Sequence, residues 1–330
     1  MKALVLDRPG TPETIYPSDV EKPHPKAGEV RVRVHAVGLN PVDYKLAATG
    51  FPGWRYPVIL GLDVAGVVDA VGKEVEDWQV GDPVYFLGDM SRPGGGFSQY
   101  TTITAKTLAW LPDGLNYTEA AALPCAGFTA YQAMHRKLRV QSERSMLIVG
   151  GAGGVGGFAV QLAKLAGLNT IATCSRHNSK FVHDLGADHV IDYQVEDVAK
   201  RVNDITKGRG VDYILDTVGP DSATASLKML AFNGAMACVA GMPDISGIVG
   251  THSGLSVHEV ALGFTYTSGD DQALEDLARM GMELGALAAK KQIRPMVEEV
   301  VTFEDIPEAL VRLSMRHVRG KLVANIPQPA

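Results

Sequence analysis

The sequence predicts an α/β protein with two domains, an antiparallel β domain followed by a doubly wound parallel sheet. Three observations support this. The chain has 330 residues, more than one typical domain holds. From Met1 to about Leu123, short β-type runs alternate with Gly- and Pro-rich turns at residues 25–29, 52–57 and 72–77, as in antiparallel sheets. From Ala120 onward, strand-like and helix-like segments alternate, which is typical of a parallel sheet covered by helices.

Each element of the second half follows from its pattern of apolar residues. A helix is expected near residues 126–138, and strands near 145–149, 170–174, 189–191, 212–216 and 235–239. A charged helical stretch at 270–291 then precedes a strand at 297–303, a helix at 303–314 and a last strand at 321–326. Because the parallel sheet is complete before residue 270, the last strands are expected to rejoin the first domain. The predicted bounds are 1–122, 123–264 and 265–330.

Composition excludes several classes of function. Hydrophobic residues make up 46% of the chain and charged residues 21%, enough to bury a large core. The net charge of −6, without a basic cluster, argues against nucleic acid as a partner. No segment has the length or apolar character of a membrane span or signal peptide, and the three cysteines are widely spaced. We therefore expect a cytoplasmic protein with reduced thiols.

The most informative motif is the run GGAGGVGG at residues 150–157, between a predicted strand and a predicted helix. Gly151, Gly153 and Gly156 satisfy G-x-G-x-x-G, which alone is a weak pattern. After a strand, such glycines let backbone N–H groups approach a pyrophosphate at the N-terminus of a helix. The predicted dinucleotide contacts in this loop are Ala152, Gly153, Gly154, Val155 and Gly156.

The end of the following strand indicates which dinucleotide binds. An acidic residue there would hydrogen-bond the ribose hydroxyls of NAD, but this chain has Ser175 and Arg176, with Lys180 nearby. These side chains would attract a 2′-phosphate, so the sequence predicts NADP(H). The alternative is that Arg176 and Lys180 belong to an ordinary solvated face.

Ordered motifs along the whole chain add a family resemblance. They are GLNPVDYK at 38–45, PVILGLDVAGVVDAVG at 57–72, VGDPVY at 80–85, GGFSQY at 95–100, EAAALPCAGFTAYQAM at 119–134, GADHVIDY at 186–193, GVDYILDTVG at 210–219 and GKLV at 320–323. With the glycine loop, they resemble the zinc-independent, quinone oxidoreductase-like branch of the medium-chain dehydrogenase/reductase superfamily. The resemblance implies a GroES-like β domain and a Rossmann domain with a catalytic cleft between them, and a homodimer joined near residues 235–239.

The resemblance also bears on metal binding. Zinc-dependent relatives would have Cys at Asn40, a His-Glu pair at Leu62 and Asp63, and Cys at Cys125, so only one of their ligands is retained here. The four cysteines of a structural-zinc lobe are also missing from residues 85–97. Catalytic zinc needs about three protein ligands, so we expect no zinc. The alternative is that Asp63 and Cys125 recruit a histidine such as His35.

Without a Lewis acid, suitable acceptors are those that take hydride readily. Quinones and α,β-unsaturated carbonyls do so because conjugation spreads the developing charge. The expected function is therefore an NADPH-dependent quinone or enone oxidoreductase. One alternative is another enzyme, either an NADPH-dependent carbonyl or enoyl reductase or an alcohol dehydrogenase-like enzyme. An alternative from another class is a cofactor-binding module without enzyme activity.

Catalytic candidates follow from the same resemblance. Asn40 matches a position that lines the cofactor cleft, although an Asn-Pro step also favours a turn. Tyr44 and Lys45 could donate a hydrogen bond or a proton, or Tyr44 could be structural, while Asp43 is expected to cap a helix that begins near Tyr44. In enoyl thioester reductases a Tyr would stand near Phe51, and Tyr56 could replace it.

Other expectations concern the walls of the site. Phe51, Trp54 and Tyr56 suit a flat conjugated acceptor, or could simply pack a loop. Residues that match cofactor-lining positions of the family are Thr129, Tyr193, Thr217, Val218, Gly241, Phe264 and Tyr266. Each of them could instead be an ordinary residue at a strand end.

Overall fold

A computed structural model describes residues 1–248, 250–316 and 318–329. The chain divides into two compact units. Unit 1 comprises Met1–Phe128 and Leu262–Ala330, and unit 2 comprises Thr129–Ala261.

Strands in the described part of the chain are short and numerous. They are β1 Lys2–Val5, β2 Tyr16–Asp19, β3 Glu29–Leu39, β4 Asp63–Val71, β5 Pro83–Leu87, β6 Tyr100–Thr104, β7 Ala109–Trp110, β8 Ser145–Val149, β9 Asn169–Cys174, β10 His189–Asp192, β11 Val211–Asp216, β12 Leu230–Cys238, β13 Ser256–Glu259, β14 Val297–Val301 and β15 Lys321–Asn325.

Helices connect these strands. The α-helices are α1 Pro41–Thr49, α2 Tyr117–Ala121, α3 Thr129–Tyr131, α4 Gly154–Leu165, α5 Ser179–Asp184, α6 Val198–Ile205, α7 Pro220–Ser226, α8 Asp271–Ala289 and α9 Ile306–Ser314. Wider π-helical turns lie on either side of α3, at Pro124–Phe128 and Gln132–Leu138. Short 3₁₀ helices occur at Pro12–Thr14, Ala105–Thr107, Arg176–Asn178, Leu227–Met229 and Leu262–Thr267.

Unit 1 is built on a mainly antiparallel sheet in the order β14-β15-β3-β4-β5-β7, with β6 also paired to β3. Alternate residues of β3, Val30, Val32 and Val34, are fully buried, as expected for a strand with one face on a core. The last strand, β15, pairs antiparallel with β3 through Leu322 and Leu39. The C-terminal segment therefore completes the sheet that the N-terminal segment begins.

Unit 2 contains a six-stranded parallel sheet in the order β10-β9-β8-β11-β12-β13. Its apolar strand residues, Leu147, Ile171, Ile191 and Ile214 among them, form one buried core. Counted from β8, the strand order is 3-2-1-4-5-6, that of a doubly wound dinucleotide-binding sheet. The predicted α/β class is confirmed. The order reverses between β8 and β11, and ligands of such sheets bind outside the carboxyl ends of the strands at that point.

One expectation about this sheet was wrong. The strand near residues 235–239 was expected at the edge that forms a dimer, but β12 pairs with β11 on one side and with β13 on the other. The edge strand next to β12 is β13, which was not predicted from the sequence. None of its four residues, Ser256–Glu259, is buried. The strand therefore needs no run of apolar residues, which is the pattern that predicted the other strands of this sheet.

Candidate active site

The predicted dinucleotide loop forms a tight turn between β8 and α4, which we call the glycine turn (residues 150–156). Gly150 has a φ of +88°, and Gly153 is the N-cap of α4. A Cβ on Gly156 would lie 2.1 Å from the carbonyl oxygen of Gly150, so no larger residue fits there. The turn therefore leads directly into the N-terminus of α4, where the first backbone N–H groups are available to a phosphate.

Neighbouring strands hold the glycine turn in place. The Gly150 N–H donates to the hydroxyl of Thr173 at 3.1 Å, and the Gly151 N–H donates to the Thr173 carbonyl at 2.8 Å. On the other side, the Thr217 hydroxyl donates to the Val149 carbonyl at 2.7 Å. Thr217, predicted to line the cofactor, therefore anchors the start of the turn.

The residues predicted to select NADP(H) gather at the carboxyl ends of β9 and β10. Ser175 is nearly buried and Arg176 is exposed. Exposed Tyr193 lies alongside, since its N–H donates to the Cys174 carbonyl at 3.3 Å. Lys180 is also exposed but pairs with Asp184 at 2.7 Å. A surface pair of this kind contributes at most about 1 kcal/mol, so it leaves Lys180 available to a phosphate.

Asp216, the last residue of β11, was not among the site residues predicted from the sequence. Its Oδ1 accepts hydrogen bonds from the N–H groups of Val218 and Gly219 at 2.9 and 3.0 Å, and its Oδ2 accepts from the Ser222 hydroxyl at 2.6 Å. This carboxylate fixes the loop that presents Val218, which is exposed. An acidic residue ending an apolar strand, directly before T-V-G, is the signal that could have identified it.

Two other predicted cofactor residues are also in unit 2. Gly241 follows β12 with a φ of +125°, a conformation that favours glycine. Thr129 begins α3 and is buried.

In unit 1, three buried polar side chains form what we call the Lys321 network: Asn40, Asp63 and Lys321. Asn40 is 2% exposed, and its Nδ2 donates to Asp63 Oδ2 at 2.9 Å and to the Gly38 carbonyl at 3.4 Å. Asn40 Oδ1 accepts from Lys321 Nζ at 2.5 Å, and Lys321 Nζ also pairs with Asp63 Oδ2 at 3.0 Å. The amide donors of Asn40 are thus both used within the protein.

Helix α1 begins three residues earlier than expected. Asn40 is its N-cap and Pro41 its first residue, because proline is well suited to the first helical position. Asp43 lies at the third position, and its Oδ2 accepts from the Asn40 N–H at 2.8 Å. The predicted donors follow on the same helix, with Tyr44 half-buried and Lys45 exposed.

The Asp43 carboxyl is fully buried beside the Lys321 network. Burial raises its pKa from 3.8 to about 7, with a further rise from the charge of Asp63 and an opposing effect of the Asn40 N–H. Its Oδ1 has no hydrogen bond of ordinary geometry within the described part of the chain. The group is therefore neutral in mildly acidic solution.

We predict that Asp43→Asn removes a component of the pH dependence of stability. The pKa of Asp43 is higher in the folded state than in the unfolded state. The carboxyl is protonated in both states below about pH 4, and as pH rises towards 7 only the unfolded state releases the proton, which lowers the stability of wild type. Between these values the free energy of unfolding of wild type should fall, relative to the variant, by roughly 2 to 4 kcal/mol. Urea denaturation at several pH values measures this, and the exposed Asp271→Asn should keep the wild-type profile. Parallel curves for wild type and Asp43→Asn would contradict the assignment.

Aromatic side chains form a second feature of unit 1, the aromatic cluster: Phe51, Trp54, Tyr56 and Phe264. The ring centroid of Phe51 lies 6.4 Å from that of Trp54 and 6.4 Å from that of Phe264. The ring centroids of Trp54 and Tyr56 are 6.3 Å apart. Phe264 is exposed. The structure thus brings the predicted cofactor residue Phe264 together with the predicted acceptor wall.

The predicted residue Tyr266 lies in the same unit. Its hydroxyl donates to the Leu87 carbonyl, and burial raises the pKa of Tyr266.

The residues at the positions of zinc ligands do not fit a zinc ion. Asp63 is paired with an ammonium group, and burial raises the pKa of the Cys125 thiol, which disfavours the thiolate that zinc requires. His35 stacks on Tyr117, with ring centroids 4.3 Å apart. Among residues 1–248, 250–316 and 318–329, no group of three or more His, Cys, Asp or Glu side chains is placed to hold a metal.

Comparison with known proteins identifies the family. Residues 26–113 match the alcohol dehydrogenase GroES-like domain, and residues 154–271 match the zinc-binding dehydrogenase domain. The chain is 32% identical to a quinone oxidoreductase of Pseudomonas aeruginosa, covering 95% of this chain and 96% of the relative. It is 30% identical to a mitochondrial NAD(P)H oxidoreductase of Danio rerio, covering 90% and 84%. A quinone oxidoreductase structure from Pseudomonas syringae superposes with a TM-score of 0.87 at 30% identity, covering 98% and 99%.

The chain belongs to the medium-chain dehydrogenase/reductase superfamily. Within it, the protein is quinone oxidoreductase-like, as the sequence motifs indicated. It is therefore an oxidoreductase, and its relatives include NAD(P)H oxidoreductases.

None of the helices in the described ranges is both long and apolar enough to span a bilayer.

Proposed function

We propose that the protein is a zinc-independent, NADPH-dependent oxidoreductase that transfers hydride to a quinone or an α,β-unsaturated carbonyl. The observation that carries this proposal is the Lys321 network, because Asn40 and Asp63, which stand at positions of zinc ligands in zinc-dependent relatives, are bonded to an ammonium group instead. The protein then reduces acceptors that need no Lewis acid. Conjugated carbonyls meet this requirement because their charge is delocalised as hydride is added.

The preference for NADPH rests on the end of β9. Ser175 and exposed Arg176 occur where an NAD-specific site would have an acidic residue. A guanidinium group can bind a 2′-phosphate through two parallel hydrogen bonds, whereas NADH has no such group. Tyr193, exposed beside the same strand end, supplies a flat surface next to the adenosine.

Arg176→Ala is expected to weaken NADPH binding about 10- to 100-fold, since a charge-assisted hydrogen bond contributes about 1.5 to 3 kcal/mol. NADH affinity should change less than about twofold. Titration calorimetry with both cofactors measures the two changes. The control is Arg209→Ala, because Arg209 pairs with Asp212 and precedes β11, at the amino ends of the parallel strands, whereas Arg176 follows the carboxyl end of β9. Equal losses of NADPH and NADH affinity would show that Arg176 does not bind the 2′-phosphate.

When bound, the nicotinamide supplies the hydride. The chain supplies orientation and a proton. We assign the proton to unit 1, where half-buried Tyr44 and exposed Lys45 follow one another on α1. Asn40 has a supporting role, because its amide donors are held by Asp63 and Gly38. The aromatic cluster offers a flat apolar surface for a conjugated acceptor.

A second candidate function, enoyl reductase, is favoured by the position of Tyr56. An ideal Cβ on Gly50 would lie 2.6 Å from the Tyr56 hydroxyl, so this phenol sits against the Gly50–Phe51 step. This position supports Tyr56 as a substitute for the tyrosine that the resemblance puts near Phe51 in enoyl thioester reductases. Hydride on the β-carbon and a proton from Tyr56 on the α-carbon would give the saturated product.

Both functions are tested by following NADPH oxidation with a panel of quinones, enones, enoyl thioesters, aldehydes and ketones. The proposal predicts turnover with quinones or enones, and analysis of enone products should show saturation of the C=C bond. Turnover of enoyl thioesters alone, lost in Tyr56→Phe, would favour the second candidate. No turnover with any acceptor would contradict both and favour a cofactor-binding module.

We also propose that the protein is a cytoplasmic homodimer. The edge strand β13 is paired to β12 on one side within the described residues, so its other side can pair with a second chain. The buried Cys174 and Cys238 form no disulfide, which suits a reducing compartment. Light scattering of the purified protein should give about twice the mass of one chain, and a monomer mass would contradict the dimer.

A further inference from the structure

Lys321 is a buried cation to which the sequence analysis assigned no role. It is the first residue of β15, and its side chain is 3% exposed. Its ammonium group donates to the Leu39 carbonyl at 3.2 Å, to Asn40 Oδ1 at 2.5 Å and to Asp63 Oδ2 at 3.0 Å. An ammonium has three N–H donors, and all three are used. A buried charge with this set of partners is a built site rather than a chance contact.

The partners of Lys321 coincide with the positions of zinc ligands in zinc-dependent relatives. Asn40 and Asp63 contact the ammonium directly, and Asp63 Oδ1 accepts from the Cys125 N–H at 2.7 Å. Two of the four ligand positions therefore contact one lysine, and a third is bonded to its partner Asp63. A divalent cation among them would face the like charge of Lys321 at short range, which is unfavourable in a buried site.

We propose that Lys321 is the fixed cation of unit 1 and a positioning residue that takes the structural place of a catalytic zinc ion. It connects β15 to the end of β3 and to the N-cap of α1, because its partners are Leu39 and Asn40. Helix α1 carries Tyr44 and Lys45, the proton donors proposed above. The catalytic effect inferred for Lys321 rests on the proposed function, whereas its structural role does not.

The test begins with three variants: Lys321→Met, the double variant Asp63→Asn with Lys321→Met, and Lys106→Met as control. Lys106 is a matched control since it forms an exposed ion pair with Asp271 at 2.7 Å in the same unit. Lys321→Met leaves the Asp63 charge buried and unpaired, so Tm should fall by roughly 10 °C. The turnover number should fall about 10- to 100-fold with little change in the KM for NADPH.

The double variant separates positioning from mere structural support. It lacks both charges of the Asp63–Lys321 pair, so its Tm should return to within a few degrees of wild type, as charge-free replacements of buried ion pairs often do. The proposal expects its turnover to stay low because the cation is still missing. Recovery of turnover together with Tm would overturn the proposal.

Chemical rescue gives an independent readout. Lys321→Ala opens a cavity lined by the same three oxygen acceptors, and ethylammonium chloride can place an ammonium there. We expect Tm and turnover of this variant to rise saturably with ethylammonium, and neither to rise in Lys106→Ala. The absence of any Tm response in Lys321→Ala would contradict the inference. If wild type reduces no acceptor, the proposed function fails, whereas the Tm response still tests Lys321.

A metal titration completes the test. Wild-type protein dialysed against zinc chloride should retain less than about 0.1 zinc per chain. One tightly held zinc ion per chain that is lost in Asp63→Asn would overturn the proposal.

Discussion

Gly156→Ala is expected to abolish NADPH binding. A Cβ at this position would lie 2.1 Å from the Gly150 carbonyl oxygen, 2.8 Å from its carbon and 2.9 Å from the Gly151 Cα. These are all backbone atoms, so no side chain can move aside and the glycine turn itself must open. Because the turn shapes the approach of the pyrophosphate to α4, we expect affinity to fall at least about 100-fold, or roughly 2.7 kcal/mol.

Titration calorimetry with NADPH measures this loss, and Gly247→Ala is the matched control in the same unit. A Cβ on Gly247 would have no atom within 4 Å, so this variant should bind NADPH as wild type does. Far-UV circular dichroism must show that both variants fold. A folded Gly156→Ala protein with NADPH affinity within about threefold of wild type would exclude the glycine turn as the pyrophosphate site.

Asp63→Ala is expected to produce the largest loss of stability. Asp63 is fully buried and accepts from Asn40 Nδ2 at 2.9 Å and from the Cys125 N–H at 2.7 Å, in addition to its pairing with Lys321. Removing it leaves an ammonium buried without a counter-charge. The expected loss is about 3 to 5 kcal/mol in the free energy of unfolding of unit 1.

Tryptophan fluorescence reports this unfolding specifically, since all three tryptophans, Trp54, Trp78 and Trp110, are in unit 1. Asp271→Ala is the control, because the Asp271–Lys106 pair is exposed and should cost at most about 1 kcal/mol. Equal urea midpoints for Asp63→Ala and Asp271→Ala would show that the buried Asp63–Lys321 pair contributes no more stability than a surface ion pair.

Local patterns were sufficient for the dinucleotide half of the protein. The apolar strand β8, the glycine turn and the apolar face of α4 are adjacent in sequence, so their arrangement is determined by neighbours within about 20 residues. The same holds for β9 and for Ser175 and Arg176 at its end. Strand β13 could not be found in this way, since its pairing with β12 depends on tertiary contact and not on an apolar run.

The unit 1 site illustrates the limit of local reasoning. Lys321 and Asp63 are 258 residues apart in the chain, and their contact depends on the pairing of β15 with β3. A lysine at the head of the apolar strand KLVAN gave no indication of its partner. The start of α1, in contrast, was within reach, because Asn-Pro followed two residues later by Asp is a recognisable helix N-terminus.

The most direct test of the central claim is deuterium transfer from cofactor to acceptor in metal-depleted protein. The enzyme would be treated with chelator, its metal content measured, and an enone reduced with each of the two NADPH epimers deuterated at C4 of the nicotinamide. We predict undiminished turnover and deuterium at the β-carbon of the saturated product from one epimer. Activity that disappears with the metal and returns with zinc, or a product without deuterium from either epimer, would contradict zinc-independent hydride transfer.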